Sequence, residues 1–475
     1  MQRLTVAIVG GGASGSIVAH ELLRHAAADH TPLHIWLIDE HGRQCAGQAY
    51  STDHELHLLN APAGKMSALA DEPGHLVSWA RCAAAVPDEV GPASFLPRRA
   101  YRRYLQETLA ASERAAAPAS QLTRLQAAVT SIRTRPGQRG AWLETGGGWL
   151  HADVAVLATG HAAAVVPFEA PDVARVIADP WQPGGLDRLD SEPAGAGGPR
   201  RVVVAGTGLT MVDVAIAVTS RFPGCTVHAV SRHGLLPRTH PGGFPSQPGL
   251  LWLPPACQAL GPVSLGELAG QIRRAISASG GDWHSVLEAL RPHAPSLWQR
   301  MPDRDKRVFL SRLERYWQVH RHLMPPATAT RISDLRQAGR LVIHRGRIHG
   351  ARRSARGLVV DAVTAAGPIE LAAGWLINAT GGTSDITVGP SPLLRQLFAT
   401  GLARPDSLRL GIDADPAGAV ISSAGRGSDF LYALGPPLRG TRYETTAIPE
   451  IRSQAAGIAA QIASRVPGTA PAAVV

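Results

Sequence analysis

Two stretches of this chain share one layout, and that layout leaves few folds open. Leu4 to Val9 is a short apolar run. It meets Gly10-Gly11-Gly12-Ala13-Ser14-Gly15, and the residues from Ser16 to Ala28 then carry apolar side chains at helical spacing. A second apolar run, Leu33 to Ile38, ends in Asp39-Glu40. An apolar strand, a glycine turn, a helix and a second strand make a right-handed crossover in a parallel sheet. The pattern returns at Arg201–Phe222, with Gly206-Thr207-Gly208-Leu209-Thr210-Met211 as its turn and Cys225–Ser231 as its second strand. The expected fold class is therefore α/β, with two Rossmann-like units.

The glycine spacing carries chemistry as well as fold. In GxGxxG, Gly10 permits the tight turn, Gly12 lets backbone approach a pyrophosphate, and Gly15 allows close packing of helix on strand. The helix start, with Ser14, offers free N–H groups and a positive dipole end. Asp39 closes the next strand 24 residues after Gly15. A carboxylate there accepts the hydroxyls of an adenosine ribose. Glu40 is the lesser candidate, because the strand alternation puts Asp39 at the strand end. The second unit keeps Gly206 and Gly208, with Thr210 in the first helical turn, but has Met211 where the third glycine stood. Met211 is expected to push helix from strand. Ser231-Arg232 stands where an acid would select an unphosphorylated ribose, and a hydroxyl with a guanidinium suits a 2′-phosphate. This favours NADPH over NADH. The competing reading is a vestigial unit whose Arg232 faces solvent.

Two further segments echo each other. Ala127–Gly160 and Arg347–Gly381 both run through alternating strands and a glycine turn to an apolar strand ending in Ala-Thr-Gly. Each would close one nucleotide domain, which brings Thr159 and Gly160 to the first site. Residues 166–199 include the Pro-, Gly- and Asp-rich stretch Pro167–Pro199, as a linker should. Leu265–His322 has helical periodicity. The expected organisation is thus 1–165 for the first part of a discontinuous FAD domain, 166–199 for a linker, 200–385 for an NAD(P) domain with a helical insertion at about 260–330, and 386–475 for the rest of the FAD domain.

Composition narrows the function. The 475 residues hold 47 Lys plus Arg against 37 Asp plus Glu, a net charge of +10, and 45% are hydrophobic. These values describe a globular chain and argue against disorder. Most of the excess lies between Gly261 and Gly350, and it reads as a solvated arginine-rich surface, with an anionic ligand site as the alternative. No nucleic-acid motif accompanies it. Four scattered cysteines form no CxxC pair, which argues against a dithiol redox centre and a zinc site. Neither His54-Glu55-Leu56-His57 nor the pair His320/His322 has zincin spacing, so no metal is expected. The Arg3-led apolar start is explained by the glycine motif rather than by a signal peptide, and Val202–Val218 contains Asp213 and two glycines, unlike a membrane span. The expectation is a cytoplasmic protein with a small-molecule substrate, no nucleic-acid or membrane partner, and an open oligomeric state.

The chain resembles the two-dinucleotide-binding flavoproteins. More closely, it resembles the bacterial FAD/NAD(P)-binding protein family, related to flavin-dependent N-hydroxylating and other single-component monooxygenases. The likeness covers nearly the whole chain. It is carried by GGGASG, Gly47–Tyr50, Leu58–Trp79, Phe95–Leu105, Asp179–Trp181, GTGLTMVD with SRHGLLPR, WQVHRHLMPP and the block from Leu434 to Ala455. The resemblance implies FAD on the first unit and NADPH on the second. It sets Asn60 beside the reactive flavin edge, where an amide can donate and accept without titrating; capping of the turn before Pro62 is the structural reading. Lys65 and Arg99 become candidates for an anionic substrate or a phosphate, or else ordinary surface cations. Gly435 and Thr446 would flank a helix start aimed at the flavin pyrimidine. Glu444 reads as a cap, with catalysis as the alternative. Trp317 and Arg321 share one helix face, whereas His320 and His322 do not, and this element reads as packing with a solvated cation or else as part of a substrate cavity.

The resemblance implies NADPH-driven monooxygenation of a small molecule through a C4a oxygen adduct of the flavin, by N-hydroxylation. The FxGxxxHxxx(W/F) signature is absent after Phe168, which favours an N-hydroxylase-like or unassigned branch. Two alternatives stand: an NAD(P)H-dependent flavin oxidoreductase that does not oxygenate, and a redox-sensing flavoprotein. The missing cysteine pair argues against a disulfide reductase, and the missing GxSxG argues against a hydrolase.

Overall fold

The computed structural model describes residues 3–83, 89–170, 173–191, 200–241, 255–258, 261–355, 357–382 and 385–465. Both glycine units form as their spacing predicts. Strand Leu4–Val9, helix Ala13–Ala28 and strand Leu33–Asp39 make the first, with the strands parallel and Leu4 opposite Leu33. Strand Arg201–Ala205, helix Leu209–Arg221 and strand Thr226–Ser231 make the second, again parallel.

Each unit nucleates its own sheet. The first has six strands in the order Ala419–Ile421, Gly427–Ala433, Val154–Leu157, Leu4–Val9, Leu33–Asp39, Gln121–Gln126. Two of its strands thus come from the far end of the chain, beyond the second unit. Helix Ile448–Ala463 then packs into the same core as Ala13–Ala28, with Ile17, Leu22, Ile451, Ala455 and Ile458 all buried there. The second sheet has seven strands. Thr226–Ser231, Arg201–Ala205, Trp375–Asn378 and Val176–Ile177 lie side by side, and the meander Leu341–Ser354, Gly357–Thr364, Gly367–Ala373 extends the other edge. Arginines are frequent in that meander, at Arg345, Arg347, Arg352 and Arg353.

The sequence echo is a structural one. The antiparallel strands Val129–Arg133, Ala141–Thr145 and Gly148–Ala152 lead into Val154–Leu157, just as the longer meander leads into Trp375–Asn378. Each Ala-Thr-Gly then closes over the glycine turn of its own unit. The Ala158 N–H bonds the Val9 carbonyl and the Ala379 N–H bonds the Ala205 carbonyl, both at 2.8 Å.

From Leu265 to Gln337 the chain is mostly helical: Leu265–Ala278, Trp283–Leu290, Ala294–Arg300, Asp303–Val308, Glu314–Arg321 and Pro326–Gln337. A one-turn π segment, Phe309–Leu313, joins two of them. Trp298 anchors this insertion by donating its indole N–H to the Gly440 carbonyl at 2.7 Å. No helix among the described residues is long and apolar enough to cross a membrane.

Candidate active site

The first glycine turn is tight in every direction. Gly10 has φ of +105°, its N–H bonds the Ile38 carbonyl at 2.8 Å, and a Cβ on it would stand 2.3 Å from the Ala158 carbonyl oxygen. Gly15 is packed harder still, since its Cβ would lie 1.9 Å from the Gly10 oxygen. Gly12 faces Gly47 of the Gly47–Tyr50 segment, and a Cβ on either would come within about 3 Å of the other's Cα. Side chains at these positions would fill a backbone cradle, so the turn fits a bulky phosphate ligand at the helix start. That start, like the start of Leu209–Arg221, carries no side-chain cap, leaving N–H groups free.

Asp39 has a share in building the turn. It accepts the Gly11 N–H at 3.1 Å on one oxygen, and the His41 and Arg43 N–H groups at 3.1 and 2.9 Å on the other. A carboxylate has about four acceptor sites, so capacity remains for a ribose. Glu40 is exposed. Thr159 abuts Gly10, Gly160 has φ of +72°, and Ser14 lies against Gly435, itself at φ +72°. These residues come together as the motif reading placed them.

The second turn is looser. Gly206 repeats Gly10 closely: φ is +111°, its N–H bonds the Val230 carbonyl at 2.8 Å, and a Cβ would meet the Ala379 oxygen at 2.6 Å. Gly208, by contrast, has open space in front of it. Met211 is wholly buried in the second core. The Thr210 side of the helix start is half-buried. Ser231 is tied down by the Thr207 hydroxyl at 2.8 Å and the Gly234 N–H at 3.1 Å. Arg232 is exposed and Arg345 stands opposite Ser231 in the sheet; burial and the charges of Arg315, Arg232 and Arg345 hold the His233 imidazole below its usual pKa.

Between the two sheets lies a cavity of about 580 Å³. Asn60 and Lys65 line it from the first sheet's loops, Thr380 from the second sheet, and Arg321 and His322 from the insertion. Thr446 and Ala447 line it from the start of the Ile448–Ala463 helix, which also lacks a side-chain cap. Asn60, Lys65 and Thr446, far apart in sequence, therefore share one space.

Most cations near this space have a carboxylate behind them. Lys65 pairs with Glu288 of the insertion, Arg439 with Glu314, and Arg291 with Glu450 through two bonds of 2.9 and 3.0 Å. The Glu444 carboxylate is clamped by Trp317 Nε1 at 2.7 Å and Arg321 Nε at 3.0 Å, so the shared helix face read from spacing has a specific partner. Burial would raise the Glu288 carboxyl, but Lys65, Arg291 and Arg321 outweigh it and hold its pKa down. The His322 imidazole is pushed down to about 3 by burial and by Arg321, His161, Arg291 and Arg439, so it is neutral.

Arg99 takes the surface-cation alternative. Its guanidinium is on the surface, 2.7 Å from Glu55, while the preceding Arg98 lines the cavity and reaches Asp213. Successive helical residues diverge by about 100°, and the buried stripe of Tyr101, Tyr104, Leu105 and Thr108 puts Arg98 on the inner edge. That stripe was the available signal. His322 and Arg321 line the cavity, the alternative their place in the insertion left open, whereas Glu288 and His161 were missed because nothing in their local sequence points to a cavity formed by three separate segments.

Residues 7–162 match the FAD-NAD(P)-binding family. No curated protein sequence matches the chain. Among solved structures, the ornithine N-hydroxylase of Kutzneria sp. 744, solved with reduced FAD, NADP+ and L-ornithine, superposes with a TM-score of 0.65 at 16% identity, over 98% of this chain and 100% of that one. The L-lysine 6-monooxygenase of Pseudomonas syringae gives 0.61 at 16% identity, over 98% and 100%. The bacillithiol disulfide reductase of Staphylococcus aureus gives 0.56 at 11% identity, over 98% and 100%. Residues 7–162 thus match the FAD-NAD(P)-binding family, within a chain that shares the fold of these solved enzymes over 98% of its length.

Proposed function

We propose that this protein is an FAD-dependent, NADPH-reduced oxidoreductase that N-hydroxylates a small molecule. One observation carries the reading: Asn60, Thr380 and the uncapped Thr446–Ala447 helix start, from both sheets and the chain's last helix, converge on one cavity. FAD would be held by Gly10, Gly12, Ser14, Gly15, Asp39, Thr159, Gly160 and Gly435, and NADPH by Gly206, Gly208, Thr210 and Ser231. The bound flavin would supply two-electron chemistry and oxygen activation. Asn60 orients the ring edge by hydrogen bonding, and the uncapped start of the Ile448–Ala463 helix favours negative charge on the reduced ring. Lys65 anchors an anionic group of the substrate. The neutral His322 supplies hydrogen bonding without adding charge to a site already rich in arginine. The names of the ornithine and lysine enzymes with this fold support oxygenation of an amine. No cysteine lines the cavity, which sets the disulfide-reductase relative apart in chemistry.

The arginines around His233 refine the nicotinamide reading. Arg345 stands opposite Ser231, next to Arg232, at the end of the strand where an acid would select NADH. Two guanidiniums there suit a 2′-phosphate.

Anaerobic mixing with NADPH and then NADH tests the core of the proposal. Bleaching of bound FAD that is faster with NADPH is expected, followed under oxygen by substrate-dependent NADPH consumption and a hydroxylated amine. Reduction with only hydrogen peroxide as product, across a panel of amines, would leave a simple oxidoreductase instead.

A further inference from the structure

Asp213 is a costly residue to place where it stands. It lies five residues past Gly208 on the second glycine-turn helix, about 8 Å along its axis at 1.5 Å per residue. Its side chain is only 7% exposed. A buried carboxylate there demands a partner, and the partner comes from the other sheet's side of the molecule. Arg98 Nη2 donates to Asp213 Oδ2 at 2.5 Å, while its Nε donates to the Leu58 carbonyl at 3.2 Å, two residues before Asn60. The Arg98 backbone N–H bonds the His57 carbonyl at 2.8 Å. A second link runs beside the first. His57 Nε2 donates to the Asp213 main-chain carbonyl at 3.0 Å, which leaves Nδ1 to accept the Thr52 hydroxyl at 2.8 Å. Burial and Arg98 keep His57 neutral, with its pKa lowered to about 3, consistent with that tautomer. Trp181 packs against both, 5.8 Å from the Arg98 guanidinium and edge-on to His57 at 5.7 Å.

We propose that Arg98, Asp213 and His57 form a positioning latch. It fixes the start of the Leu209–Arg221 helix relative to the cavity wall that carries Asn60, and so sets the approach of the NADPH hydride to the flavin. This rests on the nucleotide assignments above. The latch makes and breaks no bond itself: the hydride leaves C4 of NADPH with its electron pair for the flavin. A well-packed apolar pair would hold two surfaces together as firmly as a buried ion pair, and often more so. What the forked guanidinium adds is orientation, since it ties Leu58 and Asp213 to one rigid plane. Misplacement of a donor by about 1 Å can cost roughly a hundredfold in rate.

The test uses FAD-loaded protein, verified by its visible spectrum, in anaerobic stopped flow with NADPH and with NADPH deuterated at either face of C4. In Asp213→Asn and in the double variant Arg98→Met/Asp213→Leu, which replaces the pair by apolar side chains and is expected to fold, flavin bleaching should slow by about a hundredfold. FAD content and NADP+ affinity, read by fluorescence quenching, should stay within about threefold, and the preference for one face of C4 should weaken. Arg98→Lys, which keeps the charge without the fork, should recover part of the rate. Folded, FAD-loaded variants that bleach at the unaltered rate with full facial preference would overturn the latch and leave the pair merely structural. Failure of the unaltered protein to bleach with NADPH would overturn the nucleotide assignments, and the latch with them.

Discussion

The two glycine units share a backbone and differ in what occupies it. In both, the first glycine has φ above +100°, bonds the end of the neighbouring strand at 2.8 Å and leaves no room for a Cβ against an Ala-Thr-Gly carbonyl. At the third position they part. Gly15 would drive a Cβ to 1.9 Å from the Gly10 oxygen, whereas Met211 fills the same rank with a wholly buried side chain. At the end of the second strand, Asp39 receives three backbone N–H groups and Ser231 bonds a threonine amid arginines. A glycine fingerprint therefore bundles separate requirements. The tight turn is needed by any such strand–helix link, while the third glycine is needed only where helix and strand approach that closely.

The largest effect should come from making the second unit look like the first. Met211→Gly removes a fully buried side chain and adds a helical glycine, and should cost about 4 kcal/mol by denaturant unfolding. A neutral or stabilising result would mean that Met211 strains the unit and that the core around it is not fitted to it. Gly15→Ala tests the other side. Overpacking there should cost about 2–3 kcal/mol and strip FAD from the purified protein, seen as lost visible absorbance. Retained flavin would show that the first turn is as tolerant as the second.

Protonation probes the surface where the two halves meet. His57 and His322 both have their pKa lowered to about 3 by burial, below the unfolded value near 6.5. The unfolded chain thus binds more protons between those values, so stability falls as pH drops from about 6.5 towards 3. At pH 5.5 each histidine should withdraw about 1.4 kcal/mol relative to pH 8. The melting temperature of His322→Asn should respond less to pH than that of the unaltered protein, and an equal response would place the titration elsewhere. The smallest effect concerns the arginines near Ser231. Arg345→Ala should weaken NADPH binding by about five- to tenfold and leave NADH unchanged, roughly 1 kcal/mol of a charge-assisted contact. Equal loss for both nucleotides would remove Arg345 from 2′-phosphate recognition.

Much of this was legible in the chain. Strand and helix periods, the glycine offsets and the repeated Ala-Thr-Gly endings all report local backbone needs, and each of these motifs sits where its spacing put it. Asn60, Lys65 and Thr446 were also legible, through longer motifs of the resembled family, although nothing local says that they meet. Arg98 was passed over for Arg99 because two adjacent arginines are alike in composition and differ only in helical phase. Glu288 and His161 carried no local signal, since their importance lies in which distant segment they face.

By itself, the sequence determined the two parallel units, the dinucleotide chemistry of their turns and the helical character of the insertion. These follow from φ freedom, side-chain period and charge within about 40 consecutive residues. Tertiary structure alone decided that Arg98 rather than Arg99 turns inward and that an insertion acid sits on Lys65. The physical reason is that burial and ion pairing are settled by partners hundreds of residues away, and a buried charge takes its meaning from the partner it finds.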